Sequence, residues 1–286
     1  MTKAARFAAL LAVIIGISLD GMGAQPRHAE LSPPDYATLI QRAAANEVYA
    51  LENPICFEYT ERLNWSWGSE TRSVIETSEG RADRIVLFGD QQLAPDQQQK
   101  QTRRLEKLLR DRDAVKDELH EQRSETERRI RMLKALPKAL IFDFAGRVNG
   151  LLRFNFRPNP DFSPKDRETQ LYRGLEGEMW LEPAQERIVR IEGRLVKDVS
   201  FGWGFLGHLN KGGIYQIVQT QITPGVWRIT TLNVDVKGRV LLIESIRMFR
   251  QESNSHFRRT PSSTDYREAV EALLSSSGPV LGQGNR

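Results

Sequence analysis

Residues 171–249 alternate between apolar and polar with a period of two. Within residues 188–195, Val189, Ile191 and Leu195 share one face while Arg190, Glu192 and Arg194 share the other. Successive side chains of a β-strand point to opposite faces, so this pattern predicts an antiparallel sheet with one dry side and one wet side. The spacing predicts strands at 171–174, 178–181, 187–196, 214–222, 227–236 and 239–249. An earlier meander is predicted at 54–67, 71–77 and 84–88. Asn149-Gly150 predicts a hairpin turn between strands at 141–144 and 151–157.

Helical periodicity appears in three places. Ser32-Pro33-Pro34 reads as a helix start, and Tyr36, Leu39, Ile40 and Ala43 then recur at helical spacing to about residue 47. Residues 95–136 interrupt the sheet. Between Lys100 and Arg131 stand eleven basic and eight acidic residues, with no glycine or proline. Leu105, Leu108, Leu109, Val115, Leu119, Ile130 and Leu133 make a narrow apolar stripe, predicting one long solvated helix, or two broken near Ser124, docked along one edge. The stripe thins between Leu119 and Ile130, where packing is expected to be weakest. Either a movable lid or a fixed cover fits this pattern. A short helix is predicted at 264–274.

The termini change the picture of where the chain works. Lys3 and Arg6 precede a thirteen-residue apolar run, Phe7 to Leu19, followed by Asp20 and small residues at Gly21, Gly23 and Ala24. That run is short for a helix spanning a bilayer core of about 30 Å, and it reads as a cleaved export signal, an uncleaved anchor being the rival. The expected organisation is a signal at 1–24, a leader at 25–31, one domain at 32–260 and a short helix and polar tail at 261–286. The expected compartment is the periplasm. Net charge is +4, mildly basic, which suits contact with anionic lipid. The arginines are scattered, so no nucleic-acid partner is expected. A single cysteine, Cys56, allows no internal disulfide and reads as a small buried apolar residue.

Candidate chemistry is sparse. Gly202-Trp203-Gly204-Phe205-Leu206-Gly207 matches a dinucleotide-binding glycine pattern, but bulky residues fill it and a strand, not a helix, is predicted after it. The segment reads better as an apolar connection that packs on the sheet, or as a rim loop touching lipid. His120-Glu121 begins like a zinc-protease helix, yet Ser124 stands where the second histidine belongs. Glu176, Glu178 and Glu182 read as a solvated strand face. No metal, cofactor or catalytic group is expected.

Glu176 to Pro183 (EGEMWLEP) followed by Arg187 to Glu192 (RIVRIE) resembles a hairpin of the LolA/LolB-like carriers, the outer membrane lipoprotein-sorting family. The resemblance implies an α+β fold, a curved antiparallel β-sheet (open half-barrel) with helices over the concave face, which the long charged helical segment departs from. It also implies a non-enzymatic, monomeric carrier of a lipid, acyl chain or lipoprotein. The candidate apolar lining is Trp65, Trp67, Trp180, Val189, Ile191, Leu195, Trp203, Phe205 and Trp227. The alternatives are an envelope scaffold whose helices fill the sheet, and a hydrolase.

Overall fold

The computed structural model describes residues 33–201, 207–240 and 244–276, so the predicted leader, Ser32 and the tail beyond residue 276 lie outside the described residues. The elements in chain order are α1 (Pro33–Glu52), β1 (Phe57–Trp65), β2 (Gly68–Glu76), β3 (Arg81–Phe88), β4 (Gln91–Gln92), α2 (Pro95–Arg110), α3 (Arg112–Ala139), β5 (Leu140–Val148) and β6 (Leu151–Pro158). A 3-10 turn (Glu168–Arg173) leads to β7 (Leu175–Glu182), β8 (Arg187–Leu195), β9 (Val199–Phe201), β10 (Gly207–Leu209), β11 (Ile214–Thr223), β12 (Val226–Val240), β13 (Glu244–Arg259) and α4 (Tyr266–Ser275).

The strands form one antiparallel sheet in the order β4-β3-β2-β1-β13-β12-β11-β8-β7-β6-β5, with β10 and β9 attached beside β12. It is an unclosed curved sheet with helices, an α+β fold. The chain builds two meanders, β1–β4 and β5–β8, and the last three strands join them through the β1–β13 and β8–β11 pairs.

Registers assign side chains to two faces. The inner face carries Phe154, Met179, Ile191, Ile217, Leu232, Glu252 and Leu63 in one transverse row, each pair directly opposite. Tyr36 of α1 stacks on Phe144 and meets Phe154 edge-on, so α1 lies over this face at the β5–β8 end. Leu39, Ile40 and Ala43 of α1, with Leu136 and Ala139 of α3, close the core there. At the opposite end α2 and α4 pack on the outer face instead. Leu105, Leu108, Ala269, Val270 and Leu273 bury Ala82, with Ile75 beside it. Arg84 reaches the carbonyls of Leu273 and Ser276 and so satisfies the open end of α4.

The charged segment docks along the open edge of β3. Gln122 Nε2 donates to the Arg81 carbonyl and its Oε1 accepts the Arg81 N–H, both at 2.8 Å, and Gln101 accepts from the Ile85 N–H. These contacts occupy backbone groups that would otherwise invite another strand. The break falls at Asp111, not Ser124. Asp111 takes an extended backbone and accepts from the N–H groups of Asp113 and Ala114, ending α2 and starting α3.

Three strand expectations are corrected. Residues 171–173 belong to the 3-10 turn, which Gly174 caps, and Tyr172 there is buried and donates to the Met132 carbonyl. Lys237-Gly238 is not a break: β12 runs through it, because Gly238 lies where any Cβ would stand 2.2 Å from the His208 carbonyl oxygen. β13 continues to Arg259, ten residues past the predicted end.

Candidate functional site

The predicted dry face is partly filled by the chain's own helices. Leu195 is 2% exposed, and Ile191 packs against the same cluster. Val189 does not join them. A bulge pairs Trp180 with Arg190 and Leu181 with Ile188, which leaves Val189 between and buries Ile188 in its place. This end of the face is closed.

The central strands differ. Tyr215 opposes Val234, and Ile217 opposes Leu232. All four keep part of their surface accessible, while the helices make their main contacts with β2, β3, β5 and β8. Arg129 of α3 lies close enough to act on Tyr215, and burial pushes that phenol up to about 12. The stripe therefore lacks the close helix cover of the β5–β8 core. Its neighbours on β13 are Arg250, opposite Val234, and Glu252, opposite Leu232. Across four strands, β8 to β13, the inner face changes from aliphatic to charged over about 14 Å.

The charged end is organised around Glu252. Its two oxygens accept from Arg250 Nη2 at 2.6 Å and from Asn254 Nδ2 at 2.9 Å. Arg250 also lies over the Trp65 ring at 5.4 Å. Farther along β1, Glu61 is 0% exposed and accepts from Arg81 at 2.9 Å. Burial alone would lower the Arg81 guanidinium, but Glu61 beside it holds it well above the usual range.

The nine candidate lining residues do not form one wall. Trp65 is on the inner face, and its ring stacks on Trp67, which stacks on Phe88; Trp67 is 64% exposed. Trp180 is on the outer face beneath the Arg190 guanidinium. Trp227 donates from Nε1 to Gln185 at 2.9 Å. Trp203 and Phe205 lie outside the described residues; the strands flanking them, β9 and β10, pair antiparallel. Sequence reasoning missed Arg250, Glu252 and Asn254. The run from Arg250 to Ser255 is polar at every position, so no alternation marks it as a strand.

The outer face holds a shallow cleft of about 730 Å³. Its floor is a row of hydrogen-bonding side chains directly opposite one another: Asp143, Asn155, Glu178, Glu192, Gln216, Asn233 and Gln251. Glu192 is held by Arg190 and Gln216. Gly177 and Gly193 face each other across β7 and β8, and a Cβ on Gly177 would stand 1.8 Å from the Glu192 carbonyl oxygen. Among the described residues no group of three or more His, Cys, Asp or Glu is placed to hold a metal, and no helix is long and apolar enough to cross a membrane. Cys56 is half-buried, and burial, then Glu76, push its thiol up.

The chain matches no family model, no curated protein and no solved structure.

Proposed function

We propose that this chain is a non-enzymatic binding protein of the cell envelope that holds the acyl chain of a lipid or lipid-linked protein on its inner face, in the manner of the LolA/LolB-like carriers it resembles. The observation that carries this reading is the accessible stripe of Tyr215, Ile217, Leu232 and Val234, which abuts a polar group at Arg250 and Glu252. An aliphatic track ending in charges has the polarity of an amphiphile. Burying a methylene is worth about 0.8 kcal/mol, so a twelve-carbon chain supplies roughly 10 kcal/mol before ordering costs. No reactive side chain is needed for such binding. Native mass spectrometry of gently purified protein, with uptake of a fluorescent fatty acid, tests the reading. The expected result is a bound lipid mass and uptake that Ile217→Glu abolishes. Only unliganded protein and no uptake would sink it.

A second reading, an envelope scaffold, draws on the closed β5–β8 end and on α3, whose middle turns are exposed at Glu121, Arg123, Glu125 and Glu127. Reversing Arg123 and Glu127 would then remove a crosslinked envelope partner, with lipid uptake absent from both forms.

A further inference from the structure

The cleft on the outer face has a floor that the lipid reading leaves unused. Its row of polar side chains, from Asp143 on β5 to Gln251 on β13, crosses seven neighbouring strands. At a strand spacing of about 4.8 Å the row is roughly 29 Å long. The main helix contacts with this face fall on β2 and β3, away from the row. Asp143, Asn155 and Gln251 are exposed, and the members between them are half-buried. A cleft of about 730 Å³ is of the size that takes a small ligand.

Part of the row is already oriented. Asn233 Nδ2 donates to Gln216 Oε1, and Gln216 Nε2 and Arg190 both donate to one oxygen of Glu192. What the row then offers a ligand is rich in acceptors: the Glu178 carboxylate, the second Glu192 oxygen and the amide carbonyls of Asn155 and Asn233. Charge is unbalanced at one point. Arg190 pairs with Glu192, Arg157 pairs with Asp143, and Glu176 stands directly opposite Arg194. Glu178 stands between Asn155 and Glu192, and among the described residues no basic side chain is paired with it or directly opposite it. Like charges directly opposite on a sheet repel. The lining as a whole carries four carboxylates against two guanidiniums, a net charge of −2.

We infer that this cleft binds an extended glycan that bears free amino groups, a second function on the face opposite the lipid track. Hydroxyl and ammonium groups supply the donors that the floor lacks. An ammonium between Glu178 and Glu192 gains charge-assisted hydrogen bonds and relieves their repulsion. Polar groups recur once per strand along the row, a repeat close to that of one ring in an extended sugar chain. Ile214, 53% exposed in the lining, meets the C–H face of a ring. The negative balance turns away phosphorylated glycans and nucleic acid. The site does not depend on the carrier reading, because the track of Tyr215 and Ile217 lies on the other face.

The test is calorimetric titration of the purified chain at mildly acidic pH with the tetramer of glucosamine. The tetramer of N-acetylglucosamine, cellotetraose and spermine are titrated in separate arms. The glucosamine tetramer is expected to bind about tenfold or more tighter than the other three, the scale of one charge-assisted hydrogen bond. Glu178→Gln is expected to erase its advantage over the uncharged tetramers. Asn155→Ala is expected to weaken every sugar severalfold and to leave spermine unaffected. Both variants should keep the thermal unfolding and the fatty-acid uptake of the parent. Spermine binding as tightly as the glucosamine tetramer reduces the cleft to an acidic surface and overturns the site. Equal binding of the three sugars, or binding of none, also overturns it. Absence of fatty-acid uptake from every form, with sugar binding intact, counts against the carrier alone.

Discussion

Glu47 of α1 and Arg187 of β8 form a buried two-pronged ion pair, with both oxygens engaged at 2.9 and 2.8 Å. Glu47 also accepts the Ile188 N–H at 3.1 Å and Gln219 Nε2 at 3.0 Å. One carboxylate thus fastens the helix to β8 and to β11, just where the bulge frees backbone groups. Glu47→Ala strands Arg187 and is expected to cost about 3–5 kcal/mol in denaturant unfolding. Glu47→Gln, which keeps two of the polar contacts, should cost less. A loss below about 1 kcal/mol would mean that the helix is held by its apolar face alone.

Gly177 has no room for a side chain. A Cβ would lie 1.8 Å from a backbone oxygen of the neighbouring strand, which cannot swing aside. Gly177→Ala is expected to exceed the 1–3 kcal/mol usual for overpacking, roughly, and to separate β7 from β8. Gly225 is the control, since its φ of +78° is strained for alanine while the space around it is open. Gly225→Ala should cost about 1 kcal/mol. Thermal unfolding of the two variants, ranked in the reverse order, would show that β7 and β8 leave room for a side chain at Gly177.

Alternation made the sheet legible, and helical spacing made the three helical segments legible, because each depends only on which face meets the core. What stayed hidden depended on partners far away in sequence. Val189 and Ile188 exchange roles through a bulge that only the β7 register defines. Lys237-Gly238 imitates a turn while serving a close approach to His208. Arg250, Glu252 and Asn254 are polar at every inward position, so no hydrophobic period announces them. The edge role of the charged segment was legible as amphipathic spacing, but its break was misplaced because Asp111 looks like any other charge in the run.

Alkaline pH should unfold the protein through its tyrosines. Burial raises Tyr59, Tyr172, Tyr215 and Tyr266, the last two to about 12. A free phenol ionises near pH 10, roughly. The folded state therefore disfavours the charged form. Its stability contribution is complete below the unfolded value and is lost as pH rises from there through about 12. The absorbance of these four tyrosinates should rise late and in step with the loss of far-ultraviolet circular dichroism. All tyrosines ionising near pH 10, roughly, with the sheet intact would contradict this.

Trp67 is the outermost ring of the Trp65–Trp67–Phe88 stack, and Met248 is 53% exposed on β13. An indole with one wet side suits the boundary between headgroups and acyl chains. On the proposed carrier reading, delivering or collecting a lipid requires contact with a bilayer, and this stack is an exposed aromatic surface adjoining the Trp65–Arg250 pair. Trp67→Ala removes surface that is already solvated, so unfolding should change by no more than about 0.5 kcal/mol. Co-sedimentation with anionic vesicles should weaken severalfold, and fatty-acid uptake from solution should be unaffected. Equal sedimentation of both proteins would move the contact elsewhere. Loss of uptake would instead make Trp67 part of the binding track.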